Sequence, residues 1–165
     1  GRLTLNPMAH LDPVGSIALL LMGFGWAKPV PVDSRYLNNP RDDMVKVAAA
    51  GPLSNLLLAV LSAISLRILL TSGFLSPEIK TFLIIFMQIN ITLAVFNLLP
   101  ISPLDGSQIL TPFIEKHFGS LMVYKMEMYG PRVLFFVIIF SMVTGIHIFS
   151  LVITPIFNFF LFIFF

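Results

Sequence analysis

Long uncharged apolar stretches alternate along this chain with short segments that carry nearly all of its charge. Four stretches stand out: Val14 to Ala27, Val47 to Leu66, Thr81 to Leu99 and Val133 to Phe165. The second and third suit the roughly 20 residues that a helix needs to cross a bilayer. The first is shorter than that and reads as re-entrant or as extended by its flanks. The fourth is longer than one span requires, and Pro155 within it is expected to kink or end the helix.

The edges of these stretches carry the chemistry of helix ends. Asn39-Pro40-Arg41-Asp42-Asp43 offers an N-cap, a proline at the first helical position and acids in the first turn, where the helix dipole favours negative charge. Ser76-Pro77-Glu78 repeats that arrangement before the third stretch, and Gly73 reads as the stop of the helix before it. No internal repeat or low-complexity linker interrupts the pattern.

Composition turns this pattern into a class. Of 165 residues, 57% are hydrophobic and only 11% charged, against about a quarter charged in soluble domains. Lipid removes the need to hide so much apolar surface, so the expected fold is an all-α polytopic membrane protein forming one unit over residues 1–165. The formal charge of +2 excludes nucleic acid as an expected partner, and the absence of cysteine excludes thiolate metal sites and disulfides. Lys28, Arg35, Arg41 and Lys46 lie in one polar segment, and Lys116, Lys125 and Arg132 in another that reads as the loop before the last stretch. The positive-inside rule then puts both, and the polar residues after Pro100, on the cytoplasmic side.

The segment richest in chemistry is Phe96-Asn97-Leu98-Leu99-Pro100-Ile101-Ser102-Pro103-Leu104-Asp105-Gly106. A helix running in from Thr81 loses its ladder at Pro100 and is broken again at Pro103, and Asp105 stands where a new helix can begin. Non-helical backbone at membrane depth is tolerated only inside protein or beside a wet cavity. A carboxylate at such a break is a functional candidate, since burying it in lipid costs about 2.5–3.5 kcal/mol or more. The competing reading is an N-cap at the membrane interface. Chemistry alone leaves the two even.

Residues Asn97 to Gly106 resemble the asparagine–proline–aspartate–glycine signature of the site-2 protease family of intramembrane zinc metalloproteases. Other segments agree in order: Gly1-Arg2-Leu3-Thr4-Leu5-Asn6-Pro7, His10-Leu11-Asp12-Pro13-Val14-Gly15, Gly25-Trp26-Ala27-Lys28-Pro29-Val30-Pro31-Val32 and Ala50-Gly51-Pro52-Leu53-Ser54-Asn55. The resemblance spans roughly Gly1 to Leu110. It implies a site-2-protease-like helical bundle with short extended edge segments, and zinc-dependent cleavage of membrane-embedded or membrane-proximal protein segments in a bacterial-type cell membrane. It also implies that Asp105 is a zinc ligand and that Asn97 helps hold the substrate carbonyl or its oxyanion. The competing reading for Asn97 is an interhelical hydrogen bond.

One part of the family pattern is missing. The resemblance assigns the other two zinc ligands and the general base to a His-Glu-x-x-His helix, in which both histidines share a face. The histidines here are His10, His117 and His147, and none stands in that motif. In the family that helix precedes the segment with which this chain opens, so truncation is the expected reason, and this stretch by itself is expected to be inactive. The alternatives are a non-catalytic membrane binding protein of the same fold, and a transporter-like protein with a cation site at the break. The latter would show internal symmetry, which is absent.

The remaining features have sufficient structural explanations. Gly51, Asn55, Ala59 and Ala63 recur every four residues and form a small-residue face for close helix packing, with Asn55 placed to hydrogen-bond across it. Lys28-Pro29-Val30-Pro31-Val32 suits either an edge strand open to strand addition by an unwound substrate or a stiff interfacial connector anchored by Trp26. His10 and Asp12 are expected to make structural hydrogen bonds, His117 to suit a helix end, and His147 to satisfy a neighbouring carbonyl.

Overall fold

The computed structural model describes Thr4, residues 6–22, Gly25, Ala27, Lys28 and residues 38–164. It divides into two compact units, residues 1–38 and residues 39–165.

In the first unit a single 3-10 turn at Pro7–Ala9 precedes α1, Pro13–Met22. Asp12 caps α1, its carboxylate accepting from the Gly15 N–H at 2.9 Å, and His10 Nε2 bonds to the Thr4 carbonyl oxygen at 2.9 Å. Both residues are thus used structurally, as expected. Leu11 and Ala27 form an antiparallel bridge, and the Lys28 N–H donates to His10 O at 2.9 Å. Trp26 and the proposed edge residues Pro29 to Val32 lie outside the described residues.

Among its described residues the second unit contains five helices: α2 Pro40–Ser72, α3 Pro77–Asn97, α4 Asp105–Phe118, α5 Ser120–Thr144 and α6 Ser150–Phe164. Among the described residues α2, α3 and α5 are long and apolar enough to cross a membrane. The helix-end signals operate as the sequence implied. Asn39 stands at the N-cap position of α2, where its side chain caps no helix N–H and its own N–H donates to Asp43 Oδ2 at 3.0 Å. Ser76 Oγ accepts from the Ile79 N–H at 3.3 Å, and Gly73 closes α2 at φ 73°, the left-handed region.

The core lies between α2 and α3. Ala59, Ala63, Met87 and Ile91 are fully buried, and Ile153, Phe157, Phe160 and Phe164 of α6 pack onto this cluster. Alanines let the helix backbones approach, which is how membrane helices gain packing when lipid offers no hydrophobic drive. The hydrogen bond across the seam comes from Ser62, whose Oγ donates to Leu83 O at 2.8 Å. Asn55, expected to make it, has no hydrogen-bond partner among the described residues.

Two stretches depart from the sequence reading. The polar segment around Lys116–Arg132 is helical, forming the end of α4 and the first half of α5, with Gly130 and Pro131 inside α5. The last apolar stretch breaks at Gly145, where φ is 71°, and Pro155 sits within α6. There Ser141 Oγ takes up the Ile146 carbonyl at 2.7 Å, so the chain turns without leaving that group bare. His147 is exposed and its ring makes no hydrogen bond among the described residues.

Candidate functional site

The site forms where α3 ends and α4 begins. Asn97 is the last residue of α3 and Asp105 the first of α4. The connection satisfies its own backbone through short turns: Leu99 N–H to Phe96 O at 3.1 Å, Ile101 N–H to Leu99 O at 2.8 Å, and Leu104 N–H to Ile101 O at 2.9 Å. The Ser102–Pro103 peptide is cis. A self-satisfied loop of this kind can hold a fixed shape where a helix is interrupted.

Gly106 explains how closely the loop folds back on α4. A side-chain carbon at that position would collide with the Leu98 carbonyl and lie 2.6 Å from Leu99 O. These are backbone atoms, so the connection could not keep this path with any other residue there. On the opposite flank, Arg41 near the start of α2 pairs with Glu115 of α4 at 2.6 Å, drawing the two helices together at an exposed edge.

Asp105 is not an N-cap. The cap position belongs to Leu104, and the hydroxyl of Ser107 donates to Leu104 O at 2.8 Å. The Asp105 carboxylate makes no hydrogen bond or ion pair among the described residues, and partial burial raises its pKa from the ordinary aspartate value. Its Oδ2 lies beside Gly51 of α2, 3.4 Å from where a Cβ would stand. The helix backbone therefore walls one side of the carboxylate, and the missing side chain leaves room beside its oxygens. Asn97 is half-buried, and its amide has no partner among the described residues. No fully buried side-chain polar atom among those residues is left unsatisfied. The unengaged groups of Asn97 and Asp105 are thus reachable rather than sealed.

Two clefts lie nearby, and neither is lined by Asp105. One of about 520 Å³ runs between Met44 of α2, Pro103, Gln108 and Thr111 beside α4, and Met126 and Glu127 of α5. The other, of about 340 Å³, lies beside Ile101, Tyr129 and Gly130. The sequence reading placed Gly51 in a packing stripe and missed that it faces the carboxylate; its place at the head of that stripe was the available signal.

A carboxylate with both oxygens unengaged is suitable donor chemistry for zinc, which takes oxygen, nitrogen or sulfur ligands. Among the described residues, however, no group of three or more His, Cys, Asp or Glu is placed to hold a metal ion. Asp105 accordingly fits one position of a zinc site, and the described residues do not complete one.

Comparison with known proteins bears on this arrangement. Residues 72–141, which include α3, the connection and α4, match the family model for peptidase family M50. The chain is 42% identical over 135 residues to "Putative zinc metalloprotease YwhC" of Bacillus subtilis, covering 79% of this chain and 61% of that protein. It is 34% identical over 123 residues to "Putative zinc metalloprotease Rip2" of Mycolicibacterium smegmatis, covering 70% of this chain and 45% of that protein. The chain thus spans about half to three-fifths of the length of these relatives. No solved structure matches it significantly. With three helices able to cross a bilayer and a break at Asp105 inside the matched segment, the chain is a helical membrane protein whose residues 72–141 match peptidase family M50.

Proposed function

We propose that this chain is part of a zinc-dependent intramembrane endopeptidase that cuts membrane-embedded or membrane-proximal protein segments. The observation that carries the reading is the Asp105 carboxylate. It starts the helix that follows a candidate membrane span, is spent on no cap or ion pair, and faces a glycine that leaves space beside its carboxylate. In this reading Asp105 is one zinc ligand, and Asn97 donates its amide to the substrate carbonyl as charge develops there. The remaining ligands and the general base come from a His-Glu-x-x-His helix that is not among the residues of this chain. Zinc, when bound, supplies an activated water and polarises the scissile carbonyl.

The distribution of basic residues supports a cytoplasmic position for the site in a cell membrane. Within the second unit, the Arg41–Glu115 pair joins the start of α2 to the end of α4 near Lys116, while Asp105, at the start of α4, meets α2 further along at Gly51. The partners of the reading are membrane lipid and a transmembrane or membrane-proximal protein substrate.

The test is Asp105→Ala in the full-length protein. Cleavage of a membrane substrate should be lost while insertion and helical content stay at wild-type levels. Full cleavage by the variant rejects the assignment of Asp105.

A further inference from the structure

The connection that carries Asp105 is held from two sides, and only one of them lies in α4. On the α4 side Gly106 admits the Leu98 and Leu99 carbonyls. On the other side Gly130, in the middle of α5, meets Ser102. A side-chain carbon at Gly130 would lie 2.6 Å from Ser102 Cβ, 2.6 Å from Ser102 O and 2.9 Å from Ser102 N. Two of these three atoms are backbone, so rotating a side chain cannot relieve the collision. Either α5 or the loop would have to move.

Clefts of about 520 and 340 Å³ both reach Ser102, so the loop is open on its flanks. The approach of the α5 backbone at Gly130 is therefore a principal restraint on where Ser102 sits. Three residues later the same loop delivers Asp105. Displacements of the order of 1 Å at a reacting group can cost about 100-fold in rate, and a restraint on Ser102 bears directly on such a displacement.

The geometry points to Gly130 as a positioning residue for Asp105: α5 acts as a backstop that fixes the α3–α4 connection, and the absence of a side chain at 130 sets its depth. This inference rests on the proposed role of Asp105 for its consequence in catalysis. Its structural part stands independently, and the two can be tested apart.

The experiment compares Gly130→Ala, Ser102→Gly and Phe136→Ala in the full-length protein in lipid nanodiscs. Hydrogen–deuterium exchange is followed over residues 98–107, where the Leu98, Leu99, Ile101 and Leu104 amides are hydrogen-bonded and so report on the loop. Substrate cleavage is resolved into kcat and KM. Gly130→Ala should speed exchange in 98–107, leave exchange across Ala59–Ala63 and Met87–Val95 unchanged, and lower kcat by about 100-fold with KM near wild type. Ser102→Gly removes one of the three contacting atoms, Cβ, without adding bulk. It should raise exchange at 98–107 with a smaller fall in kcat, and it decides the matter if Gly130→Ala fails to insert. Phe136, 68% exposed on α5, should change neither reading when replaced by alanine.

Unchanged exchange at 98–107 in both loop-contact variants overturns the inference. So does exchange that rises equally across the α2–α3 seam, since Gly130 would then be a general packing residue. Faster loop exchange with wild-type kcat overturns the positioning role. Retained cleavage by Asp105→Ala counts instead against the zinc-ligand reading and leaves the exchange result standing.

Discussion

Two regions of the second unit use small and polar residues in opposite ways. Between α2 and α3, Ala59 and Ala63 admit Met87 and Ile91, and the buried polar groups of the seam are consumed by backbone, whereas half-buried Asn55 beside it makes no hydrogen bond among the described residues. Ser62 donates to Leu83 O, and Asn90, 5% exposed, donates to Phe86 O at 2.8 Å. At the α3–α4 connection, Gly106 and Gly130 also permit close approach, but of backbone to backbone. There the polar groups of Asn97 and Asp105 are spent on nothing among the described residues. Packing with every polar group consumed is what a membrane interior requires for stability. Tight packing around groups left open is a cost that stability does not explain, and it is why the proposed function is placed at the connection.

That contrast can be broken from either side. The largest effect is expected at Asn97→Ala, which should lower kcat by about 10²–10³-fold if the amide serves an oxyanion. Thermal stability should not change, because the side chain makes no hydrogen bond to lose among the described residues. A stability loss with kcat intact would return Asn97 to the interhelical reading. Gly106→Ala should lower cleavage by about 100-fold through displacement of the Leu98–Leu99 backbone, and should accelerate exchange in that segment while α2–α3 stays protected.

Ala63→Leu attacks the other region. Overpacking a fully buried position should destabilise the protein by about 1–3 kcal/mol, read from unfolding in detergent, with catalysis in the folded fraction retained. Ser62→Ala should cost the least, about 0.6 kcal/mol as for typical hydrogen bonds between membrane helices. A larger loss would mean that Ser62 does more than donate this bond, since the Leu83 carbonyl keeps its place in the α3 ladder.

Much of this was legible before the fold. Asn39-Pro40, Gly73 and Ser76-Pro77 marked helix ends that the structure reproduces, because capping is settled by residues within a turn of one another. The helix interruption before Asp105 was legible for the same reason, since Pro100 and Pro103 each remove a donor. What escaped depends on contacts distant in sequence. The segment carrying Lys116, Lys125 and Arg132 reads as a loop, yet it is helical, and Gly130 within it lies inside α5 against Ser102. Gly145 rather than Pro155 ends α5, since a left-handed glycine turns the chain more sharply than a proline that a helix can absorb near its start. The seam's hydrogen bond fell to Ser62 rather than Asn55 because helix rotation, which small-residue spacing only brackets, decides which polar group faces the neighbouring carbonyl.

For the site, the sequence supplied Asp105 and Asn97 but not their state. That Asp105 is neither cap nor ion-pair partner, and that Gly51 leaves space beside it, are facts of three-dimensional placement. They are also what favours the proposed ligand role over an interfacial cap.

The most direct measurement is zinc content and chelator competition on the purified full-length protein and its Asp105→Asn variant, with helical content recorded on the same samples. The account predicts stoichiometric zinc in the wild type and zinc lost or readily stripped in the variant, with unchanged helicity. Equal zinc retention by the two proteins would contradict it.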